Sequence, residues 1–136
     1  MADAEALGAN HNLFIFECNS ETYMGCMEHQ LFGSNKPWPL QVKFGDYLLL
    51  HHIEAEALFG LWKAASDGKQ NIVPKAWGRR FPYQVRIQFV TAKPVEIPKA
   101  LIEELKVDLP VGQENHVSDT DVAGKLIKSV QDVYSF

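Results

Sequence analysis

The chain has 136 residues, of which 46% are hydrophobic, enough for one folded domain and too many for a disordered chain. Its formal net charge of −4 argues against binding nucleic acid by overall charge alone. Apolar runs such as Tyr47–Leu50 are strand-sized, far shorter than the roughly 18–20 residues that a membrane-spanning helix needs.

The cysteines and the N-terminus indicate the cellular compartment. Cys18 and Cys26 are too few for a disulfide framework or a cysteine-based metal site, so we expect two reduced thiols. Residues 1–10 are acidic and rich in alanine, and they lack the basic start and apolar stretch of a secretory signal. We therefore expect a cytoplasmic or nuclear protein in which residues 1–11 form a flexible N-terminus.

The first elements in chain order are a strand and a helix. Residues 13–16 form a compact apolar run that is typical of a buried strand. Asn19 or Ser20 can cap a following helix, which is predicted to run from about Glu21 to Leu31. The spacing predicts an apolar helix face made of Tyr23, Met24, Met27 and Leu31.

The middle of the chain predicts a hairpin, a long loop and a further strand. A turn signal at Gly45-Asp46 precedes a strand over Tyr47–Ile53, which is expected to pair in antiparallel fashion with Leu58–Ala64. A loop of about 12 residues follows; loops of this length in small domains are often functional. The strand Pro82–Val90 alternates, and its wet face is predicted to carry Gln84, Arg86 and Gln88.

The C-terminal part predicts two helices. Pro98 suits the first turn of a short helix that ends near Leu105. The last helix is expected to begin between Ser118 and Asp121 and to end near Tyr134. Its apolar stripe is Val122, Leu126, Ile127, Val130 and Val133. The expected fold is α+β, with residues 12–110 forming a mixed or antiparallel sheet, curled or closed, and residues 111–136 a C-terminal helix packed on it.

Several short motifs follow one another in a recognisable order. Asn19 comes after an apolar strand, and the predicted helix leads into Leu31-Phe-Gly33. Next comes Leu58-Phe-Gly-Leu-Trp-Lys-Ala-Ala-Ser-Asp-Gly68, and then Ala76-Trp-Gly-Arg-Arg-Phe-Pro-Tyr-Gln-Val-Arg-Ile87. This series resembles the plant development and cell death (DCD) domain over residues 12–105. The same order is similar to the EVE and YTH domains of the PUA-like superfamily.

The resemblance implies a PUA-like mixed β pseudo-barrel flanked by helices. YTH domains bind N6-methyladenine in RNA in an aromatic cage, and several EVE-like domains bind modified DNA bases. For the DCD branch, the resemblance implies a role in stress or cell-death pathways, with no settled ligand. The chain departs from these patterns at three places. Ser34-Asn35 replaces the Leu-Pro of the DCD string, Tyr83 stands where alanine is usual, and Phe32 occupies the position of the first cage tryptophan.

One segment concentrates positive charge. Residues 68–88 contain no Asp or Glu, and their charged residues are Lys69, Lys75, Arg79, Arg80 and Arg86. A local basic segment in an acidic protein can attract a phosphate backbone, and Lys75, Arg79 and Arg80 are the candidates for phosphate contacts. The alternative is that these are solvated side chains on an exposed loop.

Aromatic residues are the candidates for base stacking. Phe32 and Trp77 lie beside glycines that allow a close approach of a ligand, and Trp38 could form a pocket wall. The alternatives are that Phe32 packs in the core and that Trp38 pins its loop between two prolines; for Trp62, in mid-strand, core packing is favoured. Asn19 could read a base edge with its amide, or it could simply cap the helix.

The sequence favours binding over catalysis. It has no glycine-rich phosphate loop and no metalloprotease or hydrolase motif, and Cys26 and His29 are a poor nucleophile pair without an oxyanion hole. We therefore expect no enzymatic activity, cofactor or metal. The first hypothesis is a module that binds a single-stranded or modified nucleic acid. The second is a protein-interaction module with a peptide on a strand edge or in an aromatic groove.

Overall fold

The computed structural model describes residues 11–109, 112 and 115–131, so residues 1–10 and the end of the predicted last helix, including Val133, lie outside the described residues. The strands are β1 (Leu13–Cys18), β2 (Leu31–Ser34), β3 (Tyr47–His52), β4 (Ala57–Ala64), β5 (Lys69–Gln70), β6 (Tyr83–Phe89) and β7 (Val95–Glu96). The helices are α1 (Ser20–His29), α2 (Lys99–Glu104) and α3 (Thr120–Gln131), with single 3-10 turns at Trp38–Gln41 and Ala76–Arg79.

The strands form one mixed seven-stranded sheet. The main path is β1-β3-β4-β6-β2, with β5 paired to β6 and β7 paired to β4. Strands β1 and β3 run parallel, and the other pairs are antiparallel, including the predicted β3–β4 hairpin. The α+β class is therefore confirmed. Among the strands that the structure describes, β1 and β2 end the path without pairing to each other, so the sheet is an open pseudo-barrel and not a closed one.

Each face of the sheet carries its own core. Side chains alternate along a strand, so Leu13 and Ile15 of β1 join one apolar cluster, while Phe14 and Phe16 join the other. Helix α3 packs on the first cluster through Ala123, Leu126, Ile127 and Val130. The second cluster is aromatic, and α1 closes one side of it.

The first helix is shorter than predicted and differs at its apolar face. It ends at His29 because Gln30 takes a left-handed conformation with φ 52°, and Leu31 already belongs to β2. Met24, expected on the buried face, is 65% exposed, and Cys26 is buried instead. Helix α2 also begins one residue after Pro98. In the described residues, no helix has the length and apolar character that crossing a membrane requires.

Candidate functional site

A buried glutamine clamps the basic loop, which we define as residues 71–82 between β5 and β6. Gln84 is 1% exposed, and its Oε1 accepts a hydrogen bond from the backbone N–H of Val73 at 2.8 Å. Its Nε2 donates to the carbonyl oxygens of Val73 and Phe81 at 3.1 and 3.0 Å. The prediction that Gln84 lies on a wet face is wrong. A primary amide both donates and accepts, so it can pair with a loop peptide inside the protein.

The indole of Trp77 ties the basic loop to α1. Its Nε1 donates to the carbonyl oxygen of Thr22 at 3.1 Å, and its ring meets Phe81 edge-on at 5.7 Å. Two glycines make room for the ring: a Cβ at Gly25 would lie 2.5 Å from Nε1, and one at Gly33 would lie 2.8 Å from Cζ3. The half-buried Trp77 therefore fixes the loop against the helix and β2.

Arg80 adds a second tie between the same two elements. Its guanidinium lies 3.0 Å from the Glu21 carboxylate, its Nε donates to the carbonyl oxygen of Trp77, and it sits over the ring of Phe81. Both partners of the ion pair are exposed, so the pair adds little stability. The charge of Arg80 is nevertheless paired, which leaves it less available to a ligand than the other loop cations.

Four further cations on and beside the loop are exposed. Lys75 and Arg79 belong to the basic loop, Lys69 to β5 and Arg86 to β6. Within the described residues, none of the four forms a side-chain ion pair. The loop thus presents unpaired positive charge from a backbone that Gln84 and Trp77 hold in place.

The predicted aromatic residues do not form one open pocket. Phe32 is fully buried, with its ring 5.1 Å from Trp62 and 5.4 Å from Phe16, so it is a core residue and not a surface platform. Trp38 is half-buried and packs on Phe16 at 4.5 Å and on Phe14 at 6.1 Å. The predicted core position of Trp62 is confirmed at 0% exposure.

Asn19 caps α1. Its Oδ1 accepts from the backbone N–H of Thr22 at 2.9 Å, and Thr22 Oγ1 accepts from the backbone N–H of Asn19 at 3.0 Å. This reciprocal capping box satisfies two backbone donors at the helix start. The Asn19 carboxamide oxygen is therefore engaged in local structure, as the alternative reading of the sequence expected.

The two thiols are free and buried in this fold. Burial, with a smaller contribution from Glu17, raises the pKa of Cys18 to about 12. Burial raises the pKa of Cys26 as well, and its side chain is 3% exposed. A nucleophile needs the thiolate form, so the pairing of Cys26 with His29 offers no catalytic centre. Among the described residues, no group of three or more potential ligands could hold a metal ion.

An exposed apolar corner that the sequence did not predict lies at the turn before β5, the strand that leads into the basic loop. Phe44 is 66% exposed and Leu40 is 43% exposed. Both flank the Asp67-Gly68 turn: the Phe44 N–H donates to Asp67 Oδ1, and a Cβ on Gly68 would meet the backbone of Pro39 and Leu40. The signal was an aromatic residue directly before the Gly45-Asp46 turn, where the chain is at the surface.

A separate cleft of about 320 Å³ lies between the end of α2 and the start of α3. Leu105, Val107 and Val122 are among its apolar lining residues, and its charged lining residues include Lys106 and Asp119. Asp119 is already used there, because its Oδ1 accepts from backbone N–H groups at the start of α3. The charged residues that line the cleft are Lys106, Asp108 and Asp119, so one cation stands against two carboxylates and the cleft does not favour an anionic ligand.

The arrangement defines a YTH-like fold. The YTH domain of Zygosaccharomyces rouxii MRB1, solved in complex with N6-methyladenosine RNA, aligns with a TM-score of 0.58 over 94% of this chain and 92% of that one, at 17% identity. The Mmi1 YTH domain aligns with a TM-score of 0.65 over 90% of this chain and 76% of that one, at 16% identity. At these identities the likeness concerns the fold.

The sequence itself assigns the family. The model of the development and cell death domain matches residues 12–105, and the chain belongs to this family. The carrot (Daucus carota) B2 protein is 35% identical over 62% of this chain and 46% of its own length. The soybean (Glycine max) DCD domain-containing protein NRP-B is 36% identical over 61% of this chain and 28% of its own length. The chain therefore matches less than half of each of these relatives.

Proposed function

We propose that this chain is a non-catalytic module that binds single-stranded RNA through its basic loop. The observation that carries the proposal is the combination of fixed backbone and unpaired charge in that loop. Lys75 and Arg79 are exposed and form no ion pair within the described residues, while Gln84 and Trp77 hold the backbone beneath them. The fold shared with RNA-bound YTH domains supports the choice of RNA.

The rigidity of the loop matters for affinity. A flexible basic loop would lose conformational entropy on binding, whereas a loop ordered beforehand avoids much of that cost. The cations would contact phosphates, which supplies affinity and orientation without sequence preference. The net charge of −4 leaves the basic loop as a local positive feature on an acidic protein, so it would orient a bound strand.

In this proposal the predicted site residues divide into two roles. Lys75 and Arg79 contact the phosphates, with Arg80 contributing where Glu21 releases it. Trp77 positions the loop, because its indole N–H already bonds to α1. Phe32, Trp38 and Asn19 support the fold from the core, the adjoining turn and the helix cap. Recognition of a modified base is not part of the proposal, since Phe32 is enclosed.

The test is fluorescence anisotropy with a labelled single-stranded RNA oligonucleotide between 50 and 200 mM salt. The Lys75→Ala/Arg79→Ala variant is compared with Lys99→Ala/Lys128→Ala, which removes the same charge from α2 and α3. Each phosphate contact on a single strand contributes about 0.7 to the slope of log affinity against log salt. The loop variant should therefore lower that slope by about 1.4, and the control should leave it unchanged. Equal affinities for the two variants, or no binding by the native chain at 50 mM salt, would contradict the proposal.

A further inference from the structure

The exposed ring of Phe44 is held on a rigid turn. The Phe44 N–H donates to Asp67 Oδ1 at 2.9 Å, the Lys43 N–H donates to Asp46 Oδ2 at 2.9 Å, and the Gly45 N–H donates to the carbonyl oxygen of Ala64 at 2.9 Å. Asp46 is itself fully buried, which anchors the turn to the core. The backbone on both sides of the ring is therefore fixed, while the ring is left in solvent.

Single exposed apolar residues are common on proteins, so exposure alone says little. In the described residues, however, only three large apolar side chains are exposed, and Leu40 and Phe44 share this one corner. The third, Met24, lies on α1. Leu40, in the 3-10 turn Trp38–Gln41, and Phe44 both lie where the chain meets the Asp67-Gly68 turn, and folding leaves both side chains exposed.

The charges around this corner suit a phosphate backbone. Lys43 precedes Phe44 and is exposed. Lys69 lies two residues beyond Asp67, and Arg86 is held nearby because its N–H donates to Ser66 Oγ. Three exposed cations thus lie on the segments that meet at this turn, against the exposed carboxylate of Asp67 and the buried carboxylate of Asp46, both of which already accept hydrogen bonds. This balance favours an anionic ligand.

The corner is continuous with the basic loop. Strand β5 starts at Lys69, directly after the Asp67-Gly68 turn, and its Lys69 pairs with Gln84, the residue that clamps the loop. The loop begins at the next residue after β5, Asn71. A strand lying on the basic loop therefore has a path along β5 to the ring of Phe44.

We infer that Phe44 is the stacking platform for a base of the same RNA strand whose phosphates contact Lys69 and the basic loop. This inference rests on the proposed function and adds the residue that engages a base. An exposed aromatic face beside cations is the recurring device of single-strand binding, and it accepts any base because every base has a π-face. The fixed turn spares the entropy of ordering the ring.

The test uses three substitutions of one residue and two oligonucleotides of equal length, one intact and one abasic. Phe44→Ala and Phe44→Leu should weaken binding of the intact RNA roughly 5- to 150-fold, the equivalent of about 1–3 kcal/mol for one stacked base. Phe44→Trp should bind at least as tightly as the native chain, because it keeps the π-face. All three should bind the abasic strand like the native chain.

Two controls separate stacking from other effects. Met24→Leu changes an equally exposed apolar side chain on α1 and should leave affinity unchanged. The melting temperatures of the Phe44 variants should match that of the native chain, because the ring contributes little to the core. Weaker RNA binding by Phe44→Leu, together with an unchanged melting temperature, therefore reports a lost RNA contact.

The failure of this inference differs from the failure of the proposed function. If the native chain binds RNA, and Lys75→Ala/Arg79→Ala lowers the salt slope, but Phe44→Leu and Phe44→Ala bind normally, the stacking platform is wrong and the basic loop stands. Tolerance of leucine but not alanine would also overturn stacking, since it would show an apolar contact of the kind a protein partner makes. Absence of RNA binding by the native chain would contradict both the stacking platform and the proposed function.

Discussion

Replacing Gly25 with alanine should destabilise the protein, although alanine usually stabilises a helix. The exchange of glycine for alanine within a helix is worth about 1 kcal/mol in favour of alanine. Here the new Cβ would lie 2.5 Å from Nε1 and 2.8 Å from Cδ1 of Trp77. Forcing extra volume into a packed site costs about 1–3 kcal/mol, and losing the bond to Thr22 costs about 1 kcal/mol more. We expect a net loss of about 1–3 kcal/mol in the free energy of unfolding.

The sign of this effect should reverse once the indole is gone. In a Trp77→Ala background the Cβ meets no ring, so Gly25→Ala should stabilise by about 1 kcal/mol. The native chain, Gly25→Ala, Trp77→Ala and the double variant are compared by urea unfolding followed by circular dichroism. We expect a coupling free energy of about 2–4 kcal/mol between the two sites. This coupling exceeds the few tenths of a kcal/mol that independent sites show. If Gly25→Ala stabilised the protein in both backgrounds, the inference that the Trp77 ring packs directly against Gly25 would be wrong.

Three further predictions concern buried polar and titratable groups. Gln84→Ala should cost about 1–3 kcal/mol and speed hydrogen exchange at the Val73 amide, because its loop peptide loses both partners; unchanged exchange would contradict the clamp. Burial lowers the pKa of His51 in the folded protein below 6.5. Its contribution to stability is therefore complete above pH 6.5 and declines as the pH falls below 6.5 towards the folded pKa. His51→Gln should flatten this decline in urea titrations, and an unaltered pH dependence in the variant would contradict the role of His51. Because the pKa of Cys18 is raised to about 12, its alkylation by iodoacetamide at pH 8 should be slow until urea unfolds the chain; rapid labelling of the folded protein would contradict this.

The elements that the sequence predicted well carry a strong local pattern. The β3–β4 hairpin follows a Gly-Asp turn signal, and α3 has an apolar stripe in which Leu126, Ile127 and Val130 are buried. The mid-strand position of Trp62 also gave its burial correctly. In each case the neighbours along the chain determine the structure, so the pattern can be read without knowing the fold.

The elements that were missed depend on partners far away in the sequence. Strand β2 has four residues, and its pairing with β6 encloses Phe32, which no short window could indicate. The Trp77 ring packs against two glycines that lie about 50 residues earlier in the chain. Gln84 can be buried because its amide hydrogen-bonds to a peptide group of the basic loop. The sequence therefore pointed to the basic loop as a candidate site, but it could not show that Phe32 is enclosed or that Trp77 is bonded to α1.

The account is tested most directly by titrating the ¹⁵N-labelled chain with a single-stranded RNA oligonucleotide and following its backbone amide resonances. We predict perturbations from Lys69 to Arg80 and around Phe44, which weaken between 50 and 200 mM salt. The amides of α3 and of the cleft near Leu105 should stay unperturbed. Unchanged spectra at 50 mM salt, or perturbations confined to that cleft, would contradict the proposal that the basic loop binds RNA.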